Sequence, residues 1–116
     1  MSNNSMKEFV KKMRQDEVAV KLAKEYLILA AREGQIEFVK LFLLCIQNDN
    51  IPYEALSCSC RNGHTEVVDL LLKVGVDVHA VDNEALCSAV ANGHSEVVDL
   101  LLKAGVDVHA VDNEAL

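Results

Sequence analysis

The chain has 116 residues, of which 51% are apolar and only five aromatic, and it carries a net charge of −7. That length accommodates one small domain whose core has to be aliphatic, and the acidic balance repels phosphate backbones and anionic lipid, which argues against nucleic acid or membrane as the main partner. No stretch approaches the roughly 20 apolar residues of a membrane span, the opening MSNNSMKEF lacks the apolar run of a secretory signal, and Cys45, Cys58, Cys60 and Cys87 form no CxxC pair. A cytoplasmic protein with reduced thiols is expected.

Residues 1 to 24 are the basic part, with Lys7, Lys11, Lys12, Arg14, Lys21 and Lys24 against three acids, so the remaining chain carries −10. A Ser5-x-x-Glu8 capping box and Phe9, Val10 and Met13 on one face predict a helix over 5–24 that covers the unit following it. The rival reading is a basic amphipathic helix seeking a membrane or a groove, but its apolar stripe is short and interrupted by Asp16 and Glu17.

From residue 25 the chain repeats itself. Residues 54–83 and 84–113 are identical at 23 of 30 positions without a gap, and Glu114, Ala115 and Leu116 open a further copy. A natural array would finish its last unit with a polar-faced cap, so the stop at Leu116 is expected to mark a fragment or a decayed product. A fainter copy covers 25–53 at a spacing of 29, with Leu27, Gly34, Glu37, Val39 and Leu41 in register with the later units before it diverges through NDNIPY.

Within a unit, Asp82 or Asn83 can cap a helix running through Ala91, and Asn92-Gly93 ends it. The next helix, SEVVDLLLK, is apolar at Val97, Val98, Leu100, Leu101 and Leu102, and Gly105 closes it. Such short helices are marginal alone in water, so each unit must stack on the next. VDVHAVD alternates in the strand manner and predicts an extended connector.

The Asn-Gly-His turns at 62–64 and 92–94, the VVDLLLK helix and GVDVHA at 75–80 and 105–110 resemble the ankyrin repeat. The resemblance is strong over 54–116, weak over 25–53 and silent on 1–24. It implies an all-α solenoid of antiparallel helix pairs joined by loops on one side, to which the helix read over 5–24 would add an N-terminal cap. Two departures stand out. The family's Asp-x-x-Gly-x-Thr turn is shortened to Asp82-Asn83-Glu84, predicting a stub for the projecting hairpin. Its Thr-Pro-Leu-His entry reads Glu84-Ala85-Leu86-Cys87 and Glu54-Ala55-Leu56-Ser57, so the hydrogen bonds of that Thr and His fall to an Asx cap.

Candidate chemistry is thin. Cys58, Cys60, His64 and Cys87 invite a zinc site, but on a helix Cys58 and Cys60 point about 200° apart, and Cys60 aligns with Ala31 and Val90 in the expected core. His64 and His94 follow the turn glycine, where the resemblance implies a ring bridging two units, and no acid stands beside either to make it a base. His79 and His109 replace an Asn that some ankyrin arrays carry hydroxylated, which makes these imidazoles candidates for modification. Asp77, Asp82, Asp107 and Asp112 recur as a solvated acidic ridge without a cleft. With no phosphate loop, GxGxxG or GxSxG, no enzyme, cofactor or metal is expected.

Of the seven differences between the two clear units, five are consecutive, at 57–61 against 87–91. They fall on the first helix, which the resemblance places on the concave face. Arg32, Glu33, Arg61, Asn62, Ala91 and Asn92 match family positions that face a ligand, Cys58 and Ser88 lie in the variable stretch, and His79, Asp82, Asn83, His109 and Asp112 belong to the connectors. A scaffold binding a basic or amphipathic protein surface is therefore expected. The alternative is self-association through an uncovered Val97–Leu102 helix. Such arrays are widespread in eukaryotes and occur in intracellular bacteria and large DNA viruses, where delivery into a host cell would follow.

Overall fold

A computed structural model describes residues 3–46, 50–81 and 83–105. Their elements are α1 (Asn3–Gln15), α2 (Glu17–Glu33), α3 (Ile36–Leu44), α4 (Tyr53–Arg61), α5 (Thr65–Lys73), a 3-10 turn (Val78–Ala80), α6 (Asn83–Ala91) and α7 (Ser95–Ala104). No β-strand occurs among the described residues. Helices α2 and α3, α4 and α5, and α6 and α7 pack as pairs, α2, α4 and α6 touch in sequence, and so do α3, α5 and α7. The stack is 56 Å long and little more than 20 Å across, the quasi-linear shape of a repeat array.

The turn inside each pair follows from one residue. Gly34, Gly63 and Gly93 all take a left-handed φ of 73° to 74°, which a Cβ disfavours. That bend lets the residue after the glycine donate back across five positions, Gln35 to the Ala30 carbonyl, His64 to Ser59 and His94 to Ala89, each at 2.9 Å. The helix is thereby closed by a Schellman motif and the chain folds back at once into the next helix.

Packing explains why helices of nine or ten residues hold. Leu27, Leu56 and Leu86 occupy one register position and are all buried, as are Val67 and Val97, and Leu71 and Leu101. The row Ala31, Cys60 and Val90 behaves differently. Ala31 and Cys60 are fully buried, but Val90, expected in the core beside them, is 46% exposed. This position faces the following unit, and among the described residues none follows α7. Register alone places a side chain in the core only where a neighbour exists to cover it.

The N-terminal segment also departs from expectation. The single helix predicted over 5–24 is two helices, and Ser5 lies inside α1 instead of capping it. The break is at Asp16, whose extended backbone and side chain cap α2, with Oδ1 accepting from Val18 N at 3.0 Å and Ala19 N at 3.2 Å. Read as an interruption of an apolar stripe, Asp16 is an N-cap. α1 packs on α2, and Arg14 Nε donates to the Leu44 carbonyl at 2.9 Å, tying the end of α1 to the end of α3. Asp16→Ala should cost about 1 kcal/mol in urea unfolding, the usual value of such a cap; an unchanged midpoint would mean that the break does not depend on it.

The connector is likewise not extended throughout. Asp77 Oδ1 accepts from His79 N at 2.9 Å and winds Val78–Ala80 into a 3-10 turn, with Val78 and Val81 tucked into the core. A period of two over so few residues cannot separate a strand from a turn whose two valines point inward.

Candidate partner-binding surface

The exposed face of α2, α4 and α6 is positioned by the joints between units. His64 Nε2 lies 2.9 Å from the Arg32 carbonyl of the preceding unit, and because a carbonyl only accepts, Nε2 carries the proton. Asn62 Nδ2 donates to the same oxygen at 3.3 Å. Both groups satisfy a carbonyl that the end of α2 would leave open. The imidazole also rests against Gly34: a Cβ there would fall 2.5 Å from His64 Nδ1, and one at Gly63 the same distance from His94 Nδ1. Each unit is thus seated on the glycine of the one before it.

Three rows of side chains run across these joints. Arg32 and Ala91 are exposed and Arg61 half-buried; Glu33, Asn62 and Asn92 are all exposed; Cys58 and Ser88 are half-buried, in register with Leu29, which is 41% exposed. Asn62 already serves the joint through its amide. Asn83, Ser88 and Ala91 come together with Glu84 and Cys87 around an open depression of about 510 Å³ on α6. Neither Glu84 nor Cys87 was among the expected contacts, and nor was Leu29, although its spacing of 29 from Cys58 marks it.

The connector residues do not join these rows as a group. His79 is exposed on the 3-10 turn, and Asn83 is the first residue of α6 instead of its cap. Asp82, His109 and Asp112 lie outside the described residues. Of the expected acidic ridge, Asp77 is described, and one of its oxygens is engaged in capping. Ser57, in register with the half-buried Cys87, is only 3% exposed, and its hydroxyl has no hydrogen-bond partner.

Charge is unevenly spread. Residues 47–116 contain three Lys or Arg against twelve Asp or Glu, whereas residues 1–46 contain eight against six. Among the described residues no group of three or more His, Cys, Asp or Glu is arranged to hold a metal ion, and no helix is long and apolar enough to cross a membrane.

Stacked helix pairs with short turns and a joint repeated from unit to unit define a repeat scaffold, and ankyrin repeats match residues 3–112 as three copies. The chain belongs to the ankyrin repeat family, whose repeats mediate protein–protein interaction and are not catalytic modules. It is 36% identical over 59 residues to a putative ankyrin repeat protein of Acanthamoeba polyphaga mimivirus. That stretch spans 51% of this chain and 21% of the relative, so the chain corresponds to a small part of that protein's length.

Proposed function

We propose that this protein binds a partner protein through the exposed face of α2, α4 and α6, with the acidic connectors favouring a basic or amphipathic surface. The observation that carries this reading is the contrast between joint and face. Between the two clear units the turn Asn-Gly-His and the second helix are nearly constant, while the substitutions concentrate at 57–61 against 87–91. Ser57, Ser59 and Cys60 in that stretch are buried, so the reading rests on the pairs that reach the surface: Cys58 and Ser88, both half-buried, and Arg61 and Ala91, half-buried and exposed.

The test is affinity capture from a cell extract by the wild-type chain and by the Arg32→Ala/Arg61→Ala variant, followed by mass spectrometry. At least one partner should be retained by the wild type and lost about tenfold by the variant, the scale of an arginine contact at an interface, with helical circular dichroism unchanged. Equal retention by both proteins would move the site away from these residues.

A second reading, self-association at the C-terminal end, has its own support in Val90 and Leu102, which are 46% and 45% exposed. Sedimentation equilibrium at micromolar concentration separates the two. A dimer that dissociates on dilution and is abolished by Val90→Ser supports self-association, and a monomer refutes it.

A further inference from the structure

Positive charge gathers at the N-terminal end of the molecule, where residues 1–24 carry six Lys or Arg against Glu8, Asp16 and Glu17. Two of those acids are turned elsewhere. Asp16 accepts through Oδ1 from Val18 N and Ala19 N, and Glu8 lies about 120° around α1 from Arg14. Glu17 is left to face the cations on α2.

At the joint of α1 and α2, Arg14, Glu17, Val20, Lys21 and Lys24 line a cavity of about 310 Å³. Glu17, Lys21 and Lys24 stand at i, i+4 and i+7, on one face of α2, and Arg14 enters from α1. The guanidinium is held in place, because Nε donates to the Leu44 carbonyl at 2.9 Å, and its other four N–H groups remain as donors. Lys21 is exposed and Lys24 half-buried. Glu17 and Glu25 stand one turn either side of Lys21, yet the ion pairs found among the described residues join Glu37 to Lys40 and Asp69 to Lys73. Three cations against one acid leave the lining at +2 in a chain whose net charge is −7.

We propose that this cavity is a second binding site, and that it takes a phosphorylated side chain of a partner protein. Charge selects the group. A phosphate monoester brings close to two negative charges and three strong acceptor oxygens, which match the +2 lining, whereas a carboxylate brings one charge. The Arg14 fork presents paired N–H groups to two of those oxygens, and the Lys21 and Lys24 ammonium groups face the third. Size agrees, since at about 30 Å³ per water molecule the cavity holds the equivalent of roughly ten, enough for a phosphoryl group and a few bridging waters. The lining favours a group carried on a chain over a free small molecule: Arg14, Glu17 and Lys21 are all exposed, so the cavity encloses one end of a ligand, whereas small-molecule pockets bury about 70–90% of theirs. An anionic membrane would have to tolerate the acidic excess of residues 47–116.

The experiment uses the full chain and a fluorescent peptide of about ten residues, one phosphoserine in a flexible, otherwise uncharged Gly/Ser sequence. Anisotropy titrations compare it with the unphosphorylated peptide and with one carrying Glu at the same position. The phosphopeptide should bind, and both controls at least about tenfold more weakly. Lys21→Glu should lower its affinity at least about tenfold and Lys24→Gln about fivefold. Lys73→Ala should leave it unchanged, and so should Arg32→Ala/Arg61→Ala, which separates this site from the α2, α4 and α6 face. Lys21 is exposed, so its variant should keep wild-type circular dichroism, and Lys24→Gln retains most of the side-chain stem. Failure of the phosphopeptide to bind, equal binding of the three peptides, or insensitivity to both lysine variants would overturn the proposal. So would inorganic phosphate competing as strongly as the phosphopeptide, since the site would then read the free anion alone. Co-sedimentation with phosphatidic acid and phosphatidylcholine vesicles that Lys21→Glu abolishes, with no phosphopeptide bound, would overturn it in favour of a lipid headgroup.

Discussion

Leu56→Ala is expected to remove about 3–4 kcal/mol of folding free energy, a large share of the roughly 5–15 kcal/mol that holds a small domain together. Leu56 is fully buried on α4, the helix that touches both α2 and α6. Its loss leaves a cavity at the centre of the stack. In a linear array stability resides in the unit and its contacts with immediate neighbours, so a defect in the middle unit uncouples both ends. Leu102→Ala is the control, removing the same side chain from a position that is 45% exposed, and should cost less than about 1 kcal/mol. Urea unfolding followed by circular dichroism measures both. Equal midpoints for the two variants would show that burial between units is not what holds the array together.

The second large effect concerns glycine. Gly34 and Gly93 share a φ of 73°, so alanine at either position meets the same backbone penalty of about 1–2 kcal/mol. Their surroundings differ. Nothing lies within 4 Å of a Cβ at Gly93, whereas one at Gly34 would meet three ring atoms of His64, the nearest at 2.5 Å. The ring cannot swing away without breaking its 2.9 Å bond to the Arg32 carbonyl. Gly34→Ala should therefore cost about 2–4 kcal/mol in all, adding a strained contact and a lost hydrogen bond to the backbone term. His64→Ala introduced into Gly34→Ala should recover part of that difference, and should recover nothing in Gly93→Ala. Indistinguishable costs for the two glycine variants would show that the joint does not depend on this seating.

Much of this fold was legible because the units repeat. The helix ending at Ala91, the helix opening at Ser95 and the left-handed Gly105 all stand where capping residues and apolar spacing place them. What the residues concealed lies where tertiary context decides. Asp16 reads equally as a charge breaking a stripe or as a cap, and only the packing of α1 against α2 selects the second. Val90 carries the same apolar character as its buried counterparts Ala31 and Cys60, and its exposure comes from the lack of a covering unit among the described residues. Of the row Arg32, Arg61 and Ala91 expected at the surface, the outer two are exposed and Arg61 is half-buried. The depression that gathers Glu84 and Cys87 with Asn83 was not anticipated, since it depends on how much of α6 remains uncovered.

The seating of each imidazole on a glycine one unit earlier bears on how such a protein can change over generations. Duplicating or deleting a whole unit brings every ring back above a glycine, so the array can lengthen or shorten without inventing a new fit. Unit length itself can differ by a residue, since the glycines are 29 and then 30 residues apart and both rings keep the same seat. Copy number can therefore change without remaking the joint, which is compatible with two neighbours as alike as 54–83 and 84–113.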